Sequence, residues 1–179
     1  MNPRAAGVLL AAGAGTRYGM PKVLAAQGKW LASAVNALHL GGCGDVVVVL
    51  GAAIVDVPAP ARVVVAEDWS DGLSASLRAG LSAVDADYAV LHTVDTPDVG
   101  ADVVRRVLEA ACASSSGLAR AHYTGQPGHP VVLARRHWPE LLSGLHGDEG
   151  ARSFLRARDD VVGVECDDLA SGADIDTAL

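Results

Sequence analysis

The sequence predicts an α/β fold: a three-layer α/β/α sandwich around a mostly parallel sheet. Two observations predict it. Seven short apolar runs alternate with longer amphipathic stretches, the pattern of strands joined by crossover helices. Half of the 179 residues are apolar but only 4% are aromatic, so Ala and Val carry the core. Small side chains of that kind suit buried strands beneath closely packed helices. A chain of this length fits one domain, residues 1–179, large enough to bury roughly 70% of its unfolded surface.

The elements follow in order. Ala6–Leu10 is a buried strand that empties into a glycine-rich turn running to Lys22. Leu31–Leu40 places its apolar residues on one helical face and stops at Gly41-Gly42, a helix C-terminal signal. Asp45–Leu50, with four consecutive valines, and Arg62–Ala66 read as strands. Ser74–Val84 reads as a helix, Tyr88–His92 as a strand and Val99–Ala111 as a helix. Ser114–Gly117 is a loop within the domain, and Leu118–Ala121 and Pro130–Ala134 are strands. Trp138–Leu145 and Glu149–Arg158 form a late helical pair before the last strand, Val161–Glu165. Ligands of open α/β sheets lie beyond the carboxyl ends of the strands, which selects the loops after Leu10, Ala66 and His92.

Charge and composition exclude several function classes. The net charge of −7 argues against non-specific nucleic-acid binding and against an anionic membrane surface. Cys43, Cys112 and Cys166 are odd in number and far apart, so neither a zinc site nor a disulfide framework is expected. No signal-peptide pattern and no apolar run of membrane-spanning length occur, and a reducing cytoplasm fits best.

Residues 10 to 22, LAAGAGTRYGMPK, carry the first chemistry. Glycines let backbone N–H groups approach an anion closely, and Arg17 and Lys22 add a bidentate and a mobile cation. The spacing fits neither usual phosphate loop. The third glycine of a dinucleotide fingerprint is replaced by Tyr18, and Lys22 follows a proline rather than the glycine of a Walker loop. A solvated turn between strand and helix is the plain alternative.

Residues 92 to 99, HTVDTPDV, place Asp95 at the carboxyl end of a buried strand. A hard divalent cation, which a nucleotide brings with it, wants such carboxylates. Asp98 sits where it would cap the helix from Val99, and Asp95 comes too early for that role. In EDWSDGLSASLRAGL, residues 67 to 81, a serine-rich turn opens a helix and offers groups for a base or ribose, while capping alone explains Ser74. In GQPGHP, residues 125 to 130, turn formers surround His129 and make a shaped loop. In GDEGAR, residues 147 to 152, Asp148 caps a helix carrying Arg152; an anionic ligand and a capped surface helix explain this equally. In DIDT, residues 174 to 177, Asp174 and Asp176 point to one side if extended, as a cation site or as an exposed acidic tail.

Together these residues resemble one family. The LAAGAGTRYGMPK opening, the turn Asp95-Thr96-Pro97 and the DIDT segment are similar to MobA-like nucleotidyltransferases. GLSASLRAGL, GQPGHPVVL and GDEGARSFL resemble the branch of molybdenum-cofactor cytidylyltransferases. The resemblance runs from Gly7 to Thr177 and implies a Rossmann-like, nucleotidyltransferase-type sandwich. It implies CTP or another NTP as donor, a phosphorylated small-molecule acceptor such as molybdopterin, Mg²⁺ as cofactor, and a molybdoenzyme or its chaperone as receiver. The nucleotide would lie along Leu10, Ala11, Ala12, Gly13, Gly15, Thr16, Arg17 and Lys22, with Gly72 and Ser76 near the nucleoside. Asp95, Asp174 and Asp176 would hold the metal, with Arg17, Lys22 and Asp95 as the catalytic groups. His129 and Arg152 would face the acceptor. Ala12, where guanylyl members carry a second glycine, points to cytidine. Nucleotidyl transfer to a sugar or alditol phosphate, or cofactor binding without turnover, are the alternatives.

Overall fold

The computed structural model describes residues 2–177. Seven strands form one sheet: β1 Ala5–Leu10, β2 Asp45–Leu50, β3 Arg62–Val65, β4 Tyr88–Thr93, β5 Leu118–Tyr123, β6 Gln126–Ala134 and β7 Val162–Glu165. Five helices join them: α1 Lys29–Leu40, α2 Leu73–Ser82, α3 Ala101–Ala113, α4 Trp138–Ser143 and α5 Ala151–Arg156. The strand order is β3-β2-β1-β4-β6-β5-β7. Every neighbouring pair is parallel except the two that involve β6. The expected α/β/α sandwich with a mostly parallel, mixed sheet is what the chain adopts.

The sheet divides the core into two layers. Leu9, Val48, Val90 and Val132 face α1 and α3, while Val8, Val49, Leu91 and Leu133 face α2, α4 and α5. This alternation is why the central strands read as unbroken apolar runs: both faces are covered. Leu9, Leu38 and Leu50 are fully buried, and burial of such a side chain contributes roughly 1.5–3 kcal/mol.

Local chemistry ends α1 as the sequence predicts. Gly42 adopts φ of 122°, and the amides of Gly42 and Cys43 donate to the carbonyls of His39 and Leu38. That pair of bonds is a Schellman cap, and the positive φ is why glycine stands there. Three other expected caps are not formed. The residue preceding α3 is Gly100, and Asp98 instead accepts from the amide and hydroxyl of Ser171 at 2.8 and 2.6 Å. Ser74 donates its hydroxyl to the carbonyl of Gly147 at 2.6 Å, so it joins two loops rather than closing a helix end. Gly150, not Asp148, precedes α5. Asp98 and Ser74 are each drawn off by a segment distant in sequence.

One expected loop is largely strand. Only Thr124 and Gly125 turn, with φ of 49° and 75°, the signature of a two-residue hairpin between Tyr123 and Gln126. The rest of GQPGHP, His129 included, is the first half of β6. The β5–β6 register shifts between Arg120 and His122, a bulge that lies at the mouth of the site described next.

Candidate active site

The crevice is set by strand order. From β1 the chain runs outward to β2 and β3, and then returns to β4 on the other side of β1. Such a reversal opens a crevice at the carboxyl ends of the two strands. Leu10 pairs with Thr93, so the glycine-rich loop after β1 and the Asp95 turn after β4 leave the sheet side by side.

The loop after β1 is fastened at its base. Ala11 donates to Val49 O and Ala52 donates to Ala12 O, at 3.0 and 2.9 Å. Beyond that point, among the described residues, none accepts a hydrogen bond from the amides of Gly13, Ala14, Gly15 or Thr16. Free N–H groups of this kind are what an anion needs. Gly15 has φ of 64°, and a Cβ there would stand 1.8 Å from Met20 O, so no other residue fits the turn. Arg17 is extended into solvent, with 79% of its side chain exposed, 3.9 Å from Asp176.

Lys22 behaves differently, since only 16% of its side chain is exposed. Its ammonium donates to Asp95 Oδ2 and to Asp176 Oδ1, each at 3.0 Å. Burial pulls its pKa down, but the bonds and charges of the two carboxylates outweigh that and leave it above the ordinary lysine value. Asp176 is held below the ordinary carboxylate value, chiefly by the Lys22 hydrogen bond and then by its charge.

The three carboxylates singled out in the sequence come together. Oxygens of Asp95, Asp174 and Asp176 lie within 4.8 Å of one another. Ile175 donates its amide to Asp95 O at 2.9 Å, which lays the 174–177 segment along the turn. Asp174 and Asp176, on either side of Ile175, both reach the cluster. Convergent oxygen donors of this kind suit a hard cation.

Two cavities meet at this cluster. The first, about 820 Å³, is lined by Leu10, Ala11, Ala12, Gly13, Gly15, Thr16, Arg17, Lys22, Gly72, Ser76 and Asp176, together with Trp69. Every residue expected along the nucleotide thus borders one space. The second, about 680 Å³, is lined by His129, Arg152, Asp174, Arg120 and Tyr123 among others. Leu73, Thr93, Asp95 and Asp148 border both. The second cavity contains the residues expected to face an acceptor.

Sequence reasoning missed Trp69 and Arg120. Trp69 packs on Gly51, where a Cβ would come within 2.5 Å of it, and so is fixed at the edge of the first cavity. Its signal was present in a stretch already singled out. Arg120 carried none, because a charged residue alternating with alanines in a strand reads as a solvent-facing position.

Histidines stand behind the cluster. His92, on β4, is fully buried and neither ring nitrogen has a hydrogen-bond partner among the described residues. Burial, aided by repulsion from His129, lowers its pKa to about 3. His129 is also lowered, by burial first and by the Arg120 charge second. Both rings are neutral near pH 7.

Comparisons with known proteins agree with this fold. The chain is similar to nicotine blue oxidoreductase from Paenarthrobacter nicotinovorans, 37% identical over 190 residues that cover 98% of this chain and 93% of the relative. Among solved structures it resembles Rv0371c from Mycobacterium tuberculosis H37Rv, with a TM-score of 0.80 and 28% identity over 99% of this chain and 95% of that one. It also shares its fold with a nucleotidyl transferase from Methanothermobacter thermautotroptrophicus, with a TM-score of 0.77 and 23% identity over 97% and 92% of the two chains. The model of the MobA-like NTP transferase domain matches residues 7–161, from within β1 to just past α5. The chain therefore belongs to the MobA-like NTP transferase family, as its motifs led one to expect.

Proposed function

We propose that this protein transfers CMP from CTP to the phosphate of molybdopterin and releases pyrophosphate. The observation that carries the reading is the meeting of two cavities at Asp95, one lined by a cationic glycine-rich loop and the other by His129 and Arg152. The choice of CTP rests on Ala12 and on the resemblance of three motifs to the cytidylyl branch.

The chemistry asks for little proton transfer. A phosphate monoester has a second pKa of roughly 6 and is mostly dianionic near neutral pH. One of its oxygens attacks the α-phosphorus in line. The new P–O bond forms as the bond to the β-phosphate bridge breaks, and the electron pair leaves on pyrophosphate. No side chain needs to act as nucleophile or base, so positioning and charge neutralisation remain as the protein's task. In this reading the free amides of Gly13 to Thr16 hold phosphate oxygens, with Arg17 and Lys22 supplying positive charge. Gly72, Ser76 and Trp69 border the nucleoside. Asp95, Asp174 and Asp176 would hold Mg²⁺, which when bound neutralises the phosphate oxygens. The M. tuberculosis relative, 24% identical here, has been crystallised with manganese, in keeping with a divalent ion.

The test is pyrophosphate release from each of the four NTPs with Mg²⁺ and molybdopterin. CTP should support it at least ten times faster than GTP. Faster release from GTP overturns the cytidylyl assignment. Turnover only with a sugar or alditol phosphate moves the acceptor, and tight molybdopterin binding without pyrophosphate makes the protein a carrier. A second reading comes from the relative named nicotine blue oxidoreductase: this chain would catalyse a redox reaction rather than nucleotidyl transfer. Oxidation of a reduced nicotinamide nucleotide, with no pyrophosphate formed, distinguishes it.

A further inference from the structure

Arg120 stands apart from the other arginines. Arg62 is bonded to Asp45 and Ala83 O, Arg106 to Asp168 and Glu165 O, and Arg136 to the carbonyls of Ser115 and Ser116. Arg158 is bonded to Asp160 through two nitrogens. Each of these guanidiniums is satisfied by fixed acceptors. Arg120 is more buried than most, yet among the described residues its one hydrogen bond is a long contact from Nη2 to Gly128 O at 3.5 Å. Its Nε is buried with no partner. An unsatisfied donor of this kind is costly to bury, and more so on a charged group.

Its surroundings add to the cost. Arg152, near the start of α5, lies close enough to repel it. Two cations thus share the second cavity of a protein whose net charge is −7. Burial and that repulsion together push the Arg120 guanidinium below its ordinary pKa. The β5–β6 register shifts directly after Arg120, and Arg120 lines the second cavity. Carboxylates do border the cavity, namely Asp95, Asp148, Glu149 and Asp174, but none bonds to Arg120.

We propose that Arg120 and Arg152 form the recognition site for a dianionic phosphate group, the group through which the acceptor is held in the second cavity. The proposal deepens the transferase reading and rests on it for the word acceptor. Two guanidinium forks around one dianion convert mutual repulsion into attraction, and the Nη atoms of Arg120, which have only the long contact to Gly128 O, gain an acceptor. The site is preformed at the expense of the free protein, as expected of a group placed for a ligand rather than for the fold.

The experiment titrates inorganic phosphate calorimetrically into the parent protein, Arg120→Met, Arg120→Lys and Lys22→Ala, without nucleotide or metal. Lys22→Ala removes a cation from the lining of the first cavity and none from that of the second. The expected result is phosphate binding that survives Lys22→Ala, weakens at least tenfold in Arg120→Met and is partly restored in Arg120→Lys. Arg120→Met should also melt no lower than the parent, because a buried unsatisfied cation is gone. Equal affinity in Arg120→Met, loss of binding in Lys22→Ala alone, no phosphate binding to the parent, or a lower melting temperature in Arg120→Met would each overturn the proposal. CTP titrated with Mg²⁺ in parallel separates the two readings. Failure of CTP to bind while phosphate binds as described defeats the transferase reading and leaves the anion site standing.

Discussion

Asp95 borders both cavities and bonds to Lys22, and its surroundings make a sharp test. In the free protein its carboxylate and that of Asp176 both accept from the Lys22 ammonium, each at 3.0 Å. Because the Lys22 pKa is raised, its contribution is present below about 10.5 and lost only as pH rises through the higher folded value. Because the Asp176 pKa is lowered, its contribution is present above 3.8 and lost as pH falls through the lower folded value. Lys22 and Asp176 thus both keep their charges across neutral pH. Asp95→Asn should lower kcat at least a hundredfold and abolish any dependence on Mg²⁺, with little change in Tm; full metal-dependent turnover would make Asp95 a turn residue only. His92 gives a prediction of opposite character. Its folded pKa, about 3, lies far below the ordinary 6.5, so below pH 6.5 the unfolded chain takes a proton that the fold refuses. Stability then falls by about 1.4 kcal/mol per pH unit. His129 is shifted the same way, so both contribute. His92→Leu should be at least as stable as the parent at pH 7 and should lose about 2 kcal/mol less between pH 7 and pH 5. Urea unfolding at the two pH values checks this, and parallel losses in the two proteins would exclude His92 as the source.

Helix α2 shows how an element holds its end of the site. It packs on β1 and β2 through Gly80, where a Cβ would come 2.5 Å from Val8 and 3.0 Å from Val49, both fully buried. That close approach is what brings Gly72 and Ser76, at the start of the same helix, to the first cavity. Gly80→Ala gains roughly 1 kcal/mol of helix propensity. Overpacking of rigid valines typically costs 1–3 kcal/mol. The net expectation is a loss of up to about 2 kcal/mol in urea unfolding together with weaker CTP binding. A more stable variant would show that α2 slides freely on the sheet. At this scale the sequence was readable wherever local physics decides. Buried strands such as Asp45–Leu50 are uniformly apolar, and Gly41-Gly42 ends α1 because a Schellman cap is a local motif. It was misread wherever a distant partner decides. Asp98, Ser74 and Asp148 all have capping chemistry, yet Asp98 and Ser74 bond instead to Ser171 and Gly147 O, and glycines precede α3 and α5. Nor does any local signal in GQPGHP show that β6 runs antiparallel to its neighbours, since turn-forming residues there are absorbed into strand pairing.

The whole molecule brings its two ends together over the middle of the chain. Lys22 comes from the N-terminal loop, Asp95 from the centre, and Asp174 and Asp176 from the segment after β7. The motifs that compose the site were legible singly, because each carries its chemistry in a few residues. Their meeting was legible only through the rule that ligands gather at the carboxyl ends of strands. What returns the last segment to the crevice was not legible, as it depends on pairs more than sixty residues apart. Arg106 holds Asp168 through two nitrogens at 2.7 and 2.9 Å, and Asp98 holds Ser171 through its amide and hydroxyl. From there three residues reach Asp174. Among these ties Asp98 is the informative one, because it lies outside both cavities and contacts none of the three clustered carboxylates. Asp98→Ala should leave the sheet and Tm nearly unchanged, since an exposed hydrogen bond contributes only about 1 kcal/mol. It should free residues 171–177 to leave the cluster part of the time. Hydrogen exchange at the Ile175 amide, which donates to Asp95 O, should quicken markedly. Mn²⁺ affinity, measured without substrate, should fall several-fold. The Asp95 carboxylate is untouched in this variant, so a loss of metal affinity can arise only through the returning segment. Unchanged exchange at Ile175 with unchanged Mn²⁺ affinity would mean that the segment is held by its contact with Asp95 and Lys22 alone.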